Sequence, residues 1–94
     1  MTTLIWSRSA RDDLFAIAEH YREIDPDLPS ILLVRITTAP LVLMDQPRLG
    51  APTHVPEVRK WLVRGTPFLL LYAVRPDRVE IRRVVHSSTD WTRA

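Results

Sequence analysis

The sequence predicts one small α+β domain of order β-α-α-β-β-β, with two N-terminal helices packed on one face of a small antiparallel sheet. Three observations predict it. The 94 residues suffice for one core and not for two. Between residues 10 and 39, apolar side chains recur at helical spacing. From residue 58 onward, three β-prone runs follow one another, separated by two four-residue links that suit tight hairpins. The whole of residues 1–94 reads as one unit, without repeats, low-complexity segments or an internal linker.

The elements follow in order. Leu4-Ile5-Trp6 is a short β-prone run. Ser9 offers an N-cap, with Asp12 three residues on as its capping-box partner. Ala10, Leu14, Ile17, Ala18 and Tyr21 then form the buried stripe of a surface helix over about residues 10–23, which Asp25-Pro26 breaks. Asp27 can cap a second helix with Pro29 in its first turn, and Leu32, Leu33, Ile36 and Ala39 line its apolar side. Pro40 falls inside that pattern, so the helix is expected to kink or end near Thr38, with one further turn over Leu41–Met44. Residues 51–57 carry Pro52 and Pro56 and read as a loop. The runs Val58–Val63, Phe68–Val74 and Val79–Val85 form a meander. Its middle run is apolar on both faces and should be the central strand.

If both links are four-residue loops, Val63 faces Phe68 and Val74 faces Val79, and alternation assigns the faces. One face then holds Arg59, Trp61, Val63, Phe68, Leu70, Tyr72, Val74, Val79, Ile81, Arg83 and Val85, and is expected to pack on the helices. The other holds Val58, Lys60, Leu62, Leu69, Leu71, Ala73, Glu80, Arg82, Val84 and His86. That second face is expected to be an open apolar strip rimmed by charge, the usual look of a binding surface. Trp6 and Trp61 are expected in the core, and Trp91 to pack back onto the domain.

Composition narrows the function. Hydrophobic residues make up 46% and charged residues 26%, which suits folding in water. Net charge is +2, unevenly placed. Residues 1–50 carry five arginines against seven acids, whereas residues 51–94 carry eight Lys/Arg against four. A basic half points to an acidic partner, either polypeptide or nucleic acid. Met1–Trp6 has neither the basic start nor the apolar run of a signal peptide, and the longest apolar run, Phe68–Val74, is too short to span a bilayer. A cytoplasmic protein without membrane association is expected.

No cysteine is present, and His20, His54 and His86 lack zinc-motif spacing, so no metal site and no cofactor are expected. Two glycines give no phosphate loop, and no Ser-His-acid order is recognisable. A small-molecule substrate pocket is not expected in so short a chain. Metal-free phosphodiester chemistry would need a base, an acid and cations beside the phosphate. His86, Arg82 and Lys60 are the candidates if the chain is a nuclease; otherwise no catalytic residue is assigned. Arg59, Lys60, Leu62, Leu69, Leu71, Arg82, Arg83 and His86 are the candidates for binding a partner.

Several segments, taken together in order and spacing, resemble the RelE/ParE superfamily of bacterial toxins over nearly the whole chain. They are Trp6-Ser7 with Ala10-Arg11-Asp12-Asp13-Leu14, Pro47-Arg48-Leu49-Gly50, Val58-Arg59-Lys60-Trp61-Leu62-Val63, and Pro67 through Val74. Val79-Glu80-Ile81, Arg83-Val84-Val85-His86 and Asp90-Trp91 complete the set. The resemblance implies the toxin half of a type II toxin–antitoxin or plasmid-stabilisation system, held inactive by a small cognate antitoxin. Its ParE-like branch is associated with inhibition of DNA gyrase by binding; its RelE-like branch cleaves mRNA in the ribosome. The sequence is nearer ParE, because the central strand offers no outward basic residue and His86–Trp91 has no Lys or Arg before Arg93. Gyrase is therefore the expected target, with ribosome-dependent mRNA cleavage, or a member that only binds its antitoxin, as the alternatives. Thr89, where ParE-like chains often have Arg, and Pro40 depart from the pattern.

Overall fold

The computed structural model describes residues 2–89 and 91. Strand β1 (Thr3–Trp6) leads into helix α1 (Arg8–Ile24) and helix α2 (Leu28–Thr38). A 3-10 turn (Ala39–Leu41) and the one-turn helix α3 (Val42–Asp45) follow, then β2 (Ala51–Pro52), β3 (Val58–Leu62), β4 (Phe68–Val74) and β5 (Arg78–His86). The five strands form one sheet in the order β1-β5-β4-β3-β2, with β1 parallel to β5 and the remaining pairs antiparallel. The expected meander is its centre and β4 its middle strand. Residues 51–57 are not all loop, because Ala51–Pro52 pairs with Arg59–Lys60 at the edge.

The helix boundaries follow local chemistry. The first helix starts two residues before the expected point: Ser7, not Ser9, is the N-cap, and its Oγ accepts from Ala10 N at 3.0 Å. Ser7 wins because it does two jobs, its hydroxyl also donating to Arg82 O at 2.8 Å. Asp27 precedes α2 but makes no side-chain cap bond. Pro40 ends α2 at Thr38, as its missing N–H requires. The stretch Leu28–Asp45 is apolar and long enough by composition to cross a membrane. Leu32, Ile36, Pro40 and Leu43 are buried in the fold.

The core lies between the helices and one face of the sheet. It joins Ala10, Ile36 and Leu43 to Val63, Phe68, Leu70, Tyr72, Val79, Ile81 and Val84, with Trp6 and Trp61 packed at its margin. Tyr72 is 0% exposed and makes two hydrogen bonds there. Its hydroxyl donates to Pro47 O (2.6 Å) and accepts from Gly50 N (2.9 Å), fastening the 46–50 turn over the central strand. Gly50 has no room for a side chain, since a Cβ would lie 2.4 Å from that hydroxyl.

The expected faces hold for β3, β4 and the first half of β5. The hairpin registers pair Leu62 with Leu69 and Val74 with Val79. Beyond that point β5 carries a β-bulge. Tyr72 pairs with Ile81 but Leu71 pairs with Arg83, so Arg82 is an extra residue. Every later side chain therefore changes sides. Val84 and His86 join the helix-facing side, opposite Leu70 and Phe68, while Arg83 and Val85 do not. The Ser7 hydroxyl bonded to Arg82 O supports the backbone at the bulge.

Candidate partner surfaces and the histidine cleft

The expected open strip on the outer face is largely closed. Val58, Leu71 and Val85 form a second buried cluster, with Leu69 and Trp91 packed against it. Trp91 also lies beside His54, with ring centroids 5.6 Å apart. Two apolar groups the sequence placed on that strip are thus covered to different degrees: Leu71 is buried and Leu69 half-buried. Leu62 remains 56% exposed. Lys60 is exposed beside it on the same face. The charged rim is a network around Glu80, which meets Arg78 (2.8 Å), Arg82 (3.4 Å) and Arg75 (3.7 Å). The hydrogen bond from Arg78 holds the Glu80 carboxyl below its ordinary value.

Two arginines among the partner-binding candidates, Arg59 and Arg83, are engaged within the chain. Arg59 donates to Gly50 O (2.7 Å) and Arg48 O (3.3 Å), bracing the turn that Tyr72 fastens. Glu57 pairs with Arg75, at 2.9 Å. Arg83 forms a two-pronged pair with Asp13 of α1 (2.8 and 3.0 Å), and Asp13 also accepts from Val84 N at 2.9 Å. That pairing raises the pKa of Arg83 above its ordinary value. Asp13 thereby anchors α1 to β5 just past the bulge.

The three nuclease candidates do not converge. Lys60 and Arg82 stand on the outer face, whereas the bulge carries His86 to the helix side. There His86 lines a cleft of about 350 Å³ with Asp13, Ala16, Ile17, His20, Tyr21, Phe68 and Val84. Its ring meets Phe68 edge-on at 5.7 Å, and Phe68 in turn meets Tyr21 at 6.1 Å. The Ser88 backbone N–H donates to His86 Nδ1 (3.1 Å), so the neutral ring carries its proton on Nε2. Sequence reasoning missed His20 as a neighbour of His86, because only the bulge brings the strand end to α1.

A different apolar surface lies on the helices. Phe15 is 72% exposed, and with Leu14, Ala18 and Leu33 it lines a groove of about 400 Å³ between α1 and α2, rimmed by Arg11 and by Arg22, which pairs with Glu19. Nothing in the helical periodicity singled out Phe15, which lies beside the buried stripe. Among the described residues, no group of three or more His, Asp or Glu side chains could hold a metal ion. Asp90 and Arg93, two residues used in the sequence reading, lie outside the described residues.

Residues 4–91 match the family model of the ParE toxin of type II toxin–antitoxin systems, parDE. The chain belongs to the ParE toxin family. A curated relative, the Sinorhizobium fredii protein Y4kP, whose name makes it a candidate toxin, is 29% identical over 86 residues, 92% of this chain and 88% of its own. A solved chain of the chromosomal ParDE system from P. aeruginosa superposes with a TM-score of 0.84 at 28% identity, covering 92% of this chain and 96% of that one. The E. coli DinJ–YafQ toxin–antitoxin complex shares the fold alone, with a TM-score of 0.52 at 11% identity over 97% and 99% of the two chains. This ParE-family chain has the element order and the helix-on-sheet architecture that its sequence predicts.

Proposed function

We propose that this ParE-family toxin acts in the cytoplasm by binding DNA gyrase, is not a nuclease, and is neutralised by a cognate antitoxin. The observation that carries the reading is the split of the acid–base candidates by the sheet. RNA cleavage without metal needs an acceptor for the 2′-hydroxyl proton, a donor for the leaving oxygen and a cation at the phosphate, all within reach of one scissile bond. Lys60 and Arg82 face away from His86, so they cannot serve one phosphate with it. What the surface offers is apolar anchors beside cations, which suits docking.

In this reading the antitoxin docks on the α1–α2 groove. An amphipathic segment that folds on binding would bury Phe15, Leu14 and Leu33 and set an acid against Arg11. Leu62 and Lys60, with Arg82 at the margin of the Glu80 network, remain for the target. A second reading, mRNA cleavage on the ribosome, is favoured by one observation: His20 and His86 share a cleft bordered by the Arg83–Asp13 pair. Induction in cells separates the two. Gyrase binding stops replication first, with DNA-damage signalling, and His86→Ala keeps toxicity. Early loss of translation with mRNA cut within ribosomes, abolished by His86→Ala in a folded protein, would overturn the first reading.

A further inference from the structure

Strand β1 has neighbours on one side only, and apart from its shortness, four residues, it carries none of the devices that keep sheet edges from pairing. Thr3 N–H donates to Asp77 O (3.1 Å) and Ser7 N–H to Ile81 O (2.9 Å). In a parallel ladder a residue's N–H and C=O point to the same side, and successive residues alternate. The backbone groups of Thr3 and Ile5 therefore face β5, and those of Leu4 and Trp6 face outward. Natural edges are blunted by shortness, Lys, Pro, bulges or a covering loop. Residues 2–6 have no charge, no proline and no bulge, and Ile5 is 42% exposed. An open groove of about 760 Å³, lined by Thr2, Thr3, Leu4, Met44 and Asp45, runs beside the strand.

We propose that β1 pairs antiparallel with β1 of a second copy of this chain, about a two-fold axis at Ile5, joining the two sheets into one. Three features select a second copy. Outward groups stand two residues apart, at Leu4 and Trp6, so Leu4 of one copy meets Trp6 of the other and both pairs form at once. An uncharged strand meets its like without repulsion. In this register Ser7, the last extended residue, comes opposite Thr3 of the second copy and brings Arg8, at the start of α1, toward the second copy's Thr2, whose groove neighbour is Asp45. Arg8 and Asp45 are both exposed, so the axis generates two opposite-charge contacts. The edge is short beside a standard interface of about 800 Å² per partner, so dissociation in the range of roughly 10–1000 µM is expected. The surface uses no residue assigned to antitoxin or target, so this inference stands apart from the gyrase reading.

The test is sedimentation equilibrium of the purified chain from low to high micromolar concentration, with amide exchange read residue by residue. The mass should rise toward twice the monomer, and the Leu4 and Trp6 amides should gain protection as it rises, while the Ile5 amide is protected throughout. Asp45→Arg should weaken the dimer tenfold or more, and Arg8→Asp with Asp45→Arg should restore it to within about threefold. A monomer at every concentration would overturn the proposal. So would a dimer that leaves Leu4 and Trp6 unprotected or ignores Asp45→Arg. Protection of these amides only on adding antitoxin would assign the edge to the antitoxin instead.

Discussion

Replacing Tyr72 by Phe removes one oxygen atom and should destabilise the domain far more than its size suggests. The hydroxyl ties the central strand to the 46–50 turn through two hydrogen bonds: it donates to Pro47 O and accepts from Gly50 N. Phe leaves the Gly50 N–H buried without that partner, and the Pro47 carbonyl only half-buried and able to find water. A stranded buried donor costs about 1–3 kcal/mol and a wettable acceptor less, so the total is about 2–3 kcal/mol. For a domain of this size that lowers Tm by roughly 10–20 °C. Gly50→Ala should inflict the same lesion from the other side, because its Cβ would collide with the hydroxyl and with Lys60 O at 2.7 Å. The two changes act on one latch, so the double variant should lose much less than the sum. Burial also raises the Tyr72 pKa above 10.0. The folded state then holds its proton more tightly than the unfolded state. Stability is full below pH 10 and falls as pH rises through the folded pKa, and Tyr72→Phe should flatten that alkaline loss. Denaturant unfolding at neutral and alkaline pH reads both effects. A cost below about 0.5 kcal/mol, or additive behaviour with Gly50→Ala, would refute the latch.

Further perturbations test other parts of the structure. Asp13→Ala removes the pair with Arg83 and the acceptor for Val84 N, and urea unfolding should show a loss of about 1–2 kcal/mol. Glu57 adopts φ 69°, so Glu57→Gly should relieve strain and raise stability by about 0.5–1 kcal/mol, the exposed pair with Arg75 adding little. Glu80 is held ionised below its ordinary pKa, chiefly by Arg78; its contribution is present above pH 4.5 and lost as pH falls, so Arg78→Ala should raise the carboxyl titration seen by NMR. Phe15→Asp should weaken antitoxin binding at least tenfold, read by calorimetry, without unfolding the chain, because Phe15 is 72% exposed.

Much of the fold was legible because local rules and global packing agree. Pro40 announced the end of α2, the four-residue links set both hairpin registers, and the doubly apolar run Phe68–Val74 marked the central strand. The candidate site was less legible, and the reason is one residue. A β-bulge leaves no compositional mark when the extra residue is an arginine among arginines, yet the one at Arg82 moved Val84 and His86 across the sheet. Ser7 and Ser9 are equally good caps by type; only the tertiary bond from Ser7 to Arg82 O decides between them. The outer strip looked open because strand alternation says nothing of what a distant tryptophan, here Trp91, will cover.

The most direct test is DNA supercoiling by purified gyrase, with and without the purified toxin, in the absence of ribosomes. The toxin should inhibit supercoiling, an inhibition that His20→Ala and His86→Ala leave intact and that equimolar antitoxin reverses. Full gyrase activity in excess toxin, alongside toxin-dependent cutting of ribosome-bound mRNA that either histidine change abolishes, would contradict it.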